Sequence, residues 1–283
     1  MNDNPTVAVL TEWASSYYGR TLCRHLEAEA ARNGATLRIL ATHWATATSP
    51  DVKDEIDQTL QWASAFDGMV LLSGVFAHGI HGLLRFAQGW APRPVASIGY
   101  RLPGVPTVLI NNRAAMRQAT SHLIAVHRRR KLLFLRGRRD SQESEERFFG
   151  YRHALREHGL LHEERRILAG DFTRAGASQA LSSMDPTLDF DGIVAANDDM
   201  ALAAVSDAVR RGKRVPEDVA IIGFDDVAEA QQSVPPLSSV AQPFGSFAKE
   251  AIRLVLSQIQ GRSVAEVTEV PVTLVTRRSC GCR

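Results

Sequence analysis

The residues best placed to do chemistry fall at the ends of short apolar segments. In chain order they are Glu12 and Trp13, Ser73, Gly99 and Tyr100, Asn111 and Asn112, Arg136 to Arg139, Asp171 and Phe172, Asn197 to Asp199, and Phe224 to Asp226. A carboxylate or amide can bridge two hydroxyls, an arginine donates through a fixed fork, and an aromatic face covers the apolar face of a ring. Together these types suit a small polyhydroxylated ligand. Catalysis is less well served. The sequence has no GxSxG and no coupled Cys–His pattern to make a nucleophile. It has no GxGxxG or phosphate-binding loop to hold a dinucleotide. No cofactor is expected, and the chain reads as a binder rather than an enzyme.

Each signal has a plainer rival. Asn197-Asp198-Asp199 stands where a helix begins, and such residues satisfy free N–H groups there. We expect both roles: Asn197 toward a ligand, Asp198 or Asp199 as the cap. Of Asp225 and Asp226, Asp225 is the better ligand candidate. The basic run Arg128 to Lys131, with Arg136, Arg138 and Arg139, raises a nucleic-acid reading. A solvated turn before a strand explains it better, because Phe134 is the only interleaved aromatic and a stacking platform needs more. His78 and His81 lack a carboxylate–histidine framework for metal. Cys280-Gly-Cys282 offers two thiols that could bind metal or oxidise, but a lone pair at a terminus is a weak signal, and no metal is expected.

These residues need elements to hold them. Short β-branched segments at 6–11, 36–42, 66–74, 94–99, 107–112, 131–137, 191–198 and 218–226 read as strands. Helical periodicity falls between them, at 18–33, 51–65, 80–88, 114–126, 145–158, 175–184, 200–212 and 247–260. Residues 164–172 are extended, and 267–279 give one or two last strands. Such alternation means parallel sheets covered by helices. One sheet would carry too many strands, so two are expected. The rhythm repeats before and after about residue 128, as two similar lobes would require. Ligands of open parallel sheets bind beyond the carboxyl ends of strands, which is where the polar residues lie.

The totals agree. The chain has 283 residues, 45% hydrophobic and 23% charged, with a net charge of +2. That is enough for a real core, with no global field for nucleic acid. Three cysteines make no disulfide framework. The first residues, MNDNPTVAVL, lack a basic leader region, and no segment reaches the roughly 20 apolar residues of a membrane span. A cytoplasmic protein away from membranes is expected.

The stretch AANDDMALAAVSDAVRRGKRVPEDVAIIGFDDVAEAQQSVPPLSSVAQP (195–243) closely resembles the ligand-binding core of the LacI/GalR family of bacterial transcription regulators. INN (110–112), HRRRKLLFLRG (127–137), RFFGYRHALREHGL (147–160) and LVTRRSCGC (274–282) fall in matching places. The resemblance implies two doubly wound α/β lobes of periplasmic-binding-protein type joined by three crossings. It places residues 5–128 plus 243–266 in the N-terminal lobe and 129–241 plus 267–283 in the C-terminal lobe. It implies homodimers and a small effector, a sugar or sugar derivative. Carried over residue by residue, Arg147 forks onto ligand oxygens, Asn197 and Asp225 bridge hydroxyls, Phe172 stacks, and Gln242 lies near the ligand. Glu12, Trp13 or Tyr17 supplies the other lobe's side, with Asn111 nearby. The sequence departs from the family in having Asn111-Asn112 for Asp-Asn and Gly137-Arg138 for Gly-Pro. Both changes make the site less acidic or more basic. The family's helix-turn-helix does not precede the first strand, so DNA contact would come only through such a module. A sensor of a multidomain signalling protein and a transporter's solute-binding protein are the rival readings.

Overall fold

The computed structural model describes residues 4–12, 16–42, 52–75 and 80–283. In chain order the elements are β1 (Thr6–Thr11), α1 (Tyr17–Arg32), β2 (Thr36–Ala41), α2 (Val52–Ala63), β3 (Gly68–Leu71), α3 (Ile80–Trp90), β4 (Val95–Ile98), β5 (Thr107–Leu109), α4 (Asn112–Ala125), β6 (Leu132–Arg136) and α5 (Gln142–Glu157). They continue with β7 (Ile167–Ala169), α6 (Arg174–Ser182), β8 (Gly192–Ala195), α7 (Asp198–Arg210), β9 (Ala220–Asp225), α8 (Ala228–Gln232), β10 (Ser238–Ala241), α9 (Phe244–Ile259), β11 (Val267–Glu269) and β12 (Thr273–Val275). The chain divides into two units. One comprises residues Met1–Ile110 with Pro243–Pro271, the other Asn111–Gln242 with Val272–Arg283.

The first unit holds a six-stranded sheet in the order β11-β5-β4-β3-β1-β2, with every pairing parallel. Its central strands are apolar throughout because both faces are covered. In β1, Val7 and Val9 pack with Leu22 and Leu26 of α1 and with Ile252 and Val255 of α9. The intervening Ala8 and Leu10 pack on the opposite face with Ile56 of α2 and Leu83 and Phe86 of α3. The two-residue period of a strand thus feeds two cores at once.

The second unit repeats the plan in the order β12-β10-β9-β8-β6-β7. Only the β10–β12 pair is antiparallel. Phe134 of β6 stacks on Tyr151 of α5 with ring centroids 4.7 Å apart, and the Tyr151 hydroxyl donates to the Leu132 carbonyl at 3.0 Å. In both units the strand order reverses beside the first strand, and that reversal opens a crevice at the strands' carboxyl ends.

Three boundaries differ from the sequence reading. The first crossing lies at 110–111, not near 127–130, because α4 packs on α5 and against β9, β10 and β12 of the second unit. The expected strand at 107–112 stops at Leu109 because Asn111 caps α4, its side chain accepting from Ala114 N at 2.9 Å. The last crossing lies at 271–272. The terminal segment is split there: β11 pairs with β5 in the first unit, and β12 with β10 in the second.

Candidate functional site

The polar strand ends of the second unit converge on Arg147, on α5. Ser141 starts this helix three residues earlier than expected, its hydroxyl accepting from Ser144 N at 3.3 Å. Arg147 then lies on the helix's inner face and is only 3% exposed. Its Nε donates to Asn112 Oδ1 at 2.8 Å, and one terminal nitrogen donates to the Ala196 carbonyl at 2.6 Å. That same nitrogen stands 3.8 Å from Asp225 Oδ1. The guanidinium carbon sits 3.7 Å from the centre of the Phe224 ring and 5.8 Å from that of Phe172. A buried cation needs such partners, and two aromatic faces with an incomplete ion pair supply them. Its second terminal nitrogen has no hydrogen-bond partner among the described residues.

Asp225 ends β9 and accepts from Gln242 Nε2 at 3.2 Å. Burial pushes its carboxyl up to about 7, against the pull of Arg147 and the Gln242 hydrogen bond, with Glu143 and Asp199 adding repulsion. Gln242 is itself buried, and among the described residues its Oε1 has no hydrogen-bond partner. An unanswered acceptor beside a strained carboxylate favours a ligand that brings hydroxyl donors.

The backbone at this edge is held in uncommon conformations. Asp225 and Asp226 have φ of 116° and 55°, and Asp171 and Phe172 have 54° and 62°. Left-handed backbone costs energy in non-glycine residues, so neighbours must enforce it. For the first pair the enforcement is visible. The Asp226 N–H donates to Ser239 Oγ at 3.0 Å, the Ser239 hydroxyl donates to Asp198 Oδ1 at 2.6 Å, and the Val227 N–H donates to Asp198 Oδ2 at 2.9 Å. For the second pair, the Phe172 ring lies over Gly137 so closely that a Cβ there would fall 2.2 Å from the ring.

The roles within Asn197-Asp198-Asp199 differ from expectation. Asn197 is the cap of α7, accepting from Met200 N at 3.0 Å, while its Nδ2 donates to the Phe172 carbonyl at 3.0 Å. Asp198 is fully buried in the loop-holding network just described, and burial together with the Asp225 charge drives its carboxyl well above the usual range. Asp199 pairs with Arg174 at 2.8 Å.

The structure therefore gathers Arg147, Phe172, Asn197, Asp225 and Gln242 at one edge of the second unit. Asn111 is an exposed cap, and its neighbour Asn112 is the amide that orients Arg147. In the first unit, Glu12 is buried directly after β1 and Tyr17 opens α1. Trp13 and His78 lie outside the described residues. The sequence reading missed Glu143, one helical turn before Arg147. Its buried carboxyl is raised by desolvation and lowered by Arg147 and Arg138. The i, i+4 spacing from Arg147 was the available signal.

Four members of the basic run are engaged within the protein. Arg129 donates to the Pro216 carbonyl at 2.6 Å, Lys131 pairs with Asp189, Arg136 with Glu145, and Arg138 with Asp140. Among the described residues, no helix is long and apolar enough to cross a membrane.

Comparison with known proteins agrees with this architecture. The family described as periplasmic binding protein-like domains matches over residues 120–280. The chain is 37% identical over 189 residues to the HTH-type transcriptional regulator CelR of Thermobifida fusca, covering 65% of this chain and 55% of CelR. It is 36% identical over 165 residues to the HTH-type transcriptional repressor CytR of Escherichia coli (strain K12), covering 56% and 47%. The chain thus spans about half the length of these curated relatives. Among solved structures, a transcriptional regulator CelR–cellobiose complex superposes with a TM-score of 0.82 at 28% identity, covering 99% of this chain and 86% of the other. The Escherichia coli transcriptional repressor AscG superposes with a TM-score of 0.81 at 26% identity, covering 98% of each.

Proposed function

This chain belongs to the periplasmic binding protein-like family in the form found in LacI-type regulators, and from that premise we propose that it is the effector-sensing part of a transcription regulator. Its ligand is a small polyhydroxylated molecule, a sugar or sugar derivative. The observation that carries this reading is the buried Arg147, held by Asn112 and the Ala196 carbonyl beside Asp225, with the unanswered Gln242 acceptor next to it. Such a set can donate to one ligand oxygen and accept from neighbouring hydroxyls. The CelR–cellobiose complex supports the ligand class. Phe172 stacks on the ring and Asn197 offers an amide, and the family resemblance adds Glu12, Trp13, Tyr17 and Asn111 as further candidates for ligand contact. The protein acts in the cytoplasm as a homodimer and binds without turnover. Ligand favours one conformation of the dimer, and a separate helix-turn-helix reports that state to DNA.

A thermal-shift screen of mono- and disaccharides, followed by calorimetry on each hit, tests the reading. A hit should bind at one site per chain, and Arg147→Ala should weaken it at least a hundredfold. Unchanged affinity in Arg147→Ala removes the assigned site, and conversion of the sugar to product removes the non-catalytic reading.

A further inference from the structure

The second unit contains a second cluster that the sugar site does not use. The ring nitrogens of His122 and His127 and the sulfurs of Cys280 and Cys282 all lie within 4.8 Å of one another. His122 is in the last turn of α4 and His127 follows that helix, whereas Cys280 and Cys282 come near the other end of the sequence. The fold brings them together through Ser279. Its hydroxyl donates to the Ile221 carbonyl at 2.7 Å and accepts from Ser238 N at 2.8 Å, and its own N–H donates to the Pro236 carbonyl at 3.0 Å. Gly281 then turns the chain with φ of 109°. A Cβ at that position would fall 2.7 Å from His127 Nδ1, so only glycine lets both thiols face the imidazoles.

The Cys280 thiol donates to the Arg277 carbonyl at 3.2 Å, but hydrogen bonding does not account for how the four groups converge. His122 Nε2 stands 3.1 Å from His127 Nε2, 3.5 Å from Cys280 Sγ and 3.5 Å from Cys282 Sγ. An imidazole nitrogen offers one proton or one lone pair, and it cannot serve three partners on different sides. A shared cation at the centre satisfies all of them. Zinc–sulfur bonds of about 2.3 Å and zinc–nitrogen bonds of about 2.0–2.1 Å define a tetrahedron with N···N edges of about 3.3 Å and N···S edges of about 3.5 Å. The N···N separation here is 3.1 Å, three of the four N···S separations are 3.5, 3.5 and 3.4 Å, and every pair lies within 4.8 Å.

We propose that His122, His127, Cys280 and Cys282 form a Cys2His2 site for zinc that fastens the end of the chain to α4. Four protein ligands close the coordination sphere, so the site is structural rather than catalytic. Two thiolates and two imidazoles select zinc over harder cations such as magnesium or calcium.

The test uses the reduced full chain and cobalt(II) as a spectroscopic stand-in. One equivalent of cobalt should give a thiolate-to-metal charge-transfer band and the intense d–d bands of a tetrahedral site, and zinc should abolish both. Zinc alone should raise the melting temperature by several degrees, since it binds only the folded arrangement. Cys282→Ser and His127→Gln, both at half-buried positions, should weaken cobalt binding at least a hundredfold while leaving the circular dichroism spectrum intact. Cys23→Ser should leave the bands unchanged, because that thiol is buried in α1 of the other unit. Absence of the bands, or their survival in Cys282→Ser and His127→Gln, overturns the proposal. So does a mass loss of two hydrogens at Cys280 and Cys282 in untreated protein that excludes metal, which would make the pair a disulfide.

Discussion

A carboxyl group pushed up to about 7 by burial is half ionised near neutrality, so Asp225 sits at the balance point between stability and use. The folded state holds its proton more tightly than the unfolded chain does. Its contribution is fully present below the ordinary carboxylate range and is lost as pH rises from about 4 through about 7. Asp225→Asn removes the cost of ionising that group. It should therefore raise stability at pH 8, by on the order of 3 kcal/mol, and change little at pH 4. Urea unfolding at the two pH values measures this, and an equal effect at both would show that Asp225 titrates normally. Binding should move the other way. An ionised carboxylate accepts from two hydroxyls, so sugar affinity should rise from pH 6 to pH 8 in the parent and stay flat in Asp225→Asn. At Arg147 the fork matters as much as the charge. Arg147→Lys cannot reach Asn112 and the Ala196 carbonyl together, and calorimetry should show at least a tenfold loss of affinity. The sequence named Asp225 from its strand end, and Arg147 and Gln242 only through the family resemblance. Asn112 was named only as a strand-end amide and Glu143 not at all, because their part in holding Arg147 lies in a pairing across 35 residues and in the face that a helix presents once its cap is known.

Elements place these residues through contacts that carry no local sequence signal. Ser239 lies in β10, a strand that the sequence reading did not give, and its hydroxyl relays Asp226 N–H to the buried Asp198 at the start of α7. With Val227 N–H on the other oxygen, this network ties the strained β9–α8 turn to α7 and thereby aims Asp225. Ser239→Ala leaves a buried carboxyl short of a donor and should cost about 1–3 kcal/mol. The denaturation midpoint reads that loss, and sugar affinity should fall with it because the turn is no longer held. A loss of stability with unchanged affinity would mean that Asp198 supports the core but not the site. Most strands and helices were legible, since the central strands of both units are buried and largely apolar, but β10 and α8 were not read from the sequence. Element ends were less legible. Asn111 and Ser141 are caps, and a cap declares itself only when the next N–H turns toward its side chain.

At the scale of the whole molecule, the repeat of strand–helix rhythm predicts two units, but no local pattern marks where the chain passes between them. Periodicity gives α4 an apolar face without saying which sheet receives it, and 267–279 reads as one or two strands with nothing to say that its halves join different sheets. The three passages have a consequence for folding: neither unit is a continuous stretch of chain. Residues 111–242 alone lack β12, which pairs with β10, and lack Ser279, which satisfies Ile221, Pro236 and Ser238. They also lack Cys280, which is fully buried. Removing these groups exposes a sheet edge and leaves buried backbone groups without partners, each costing about 1–3 kcal/mol, against a total stability of about 5–15 kcal/mol. The isolated segment should therefore show no cooperative thermal transition. Joining 272–283 to it through a short flexible linker should restore one, since that length supplies every missing partner within the unit. Calorimetry of the two segments decides the matter, and a cooperative transition in residues 111–242 alone would show that the C-terminal strand is dispensable to the unit's core.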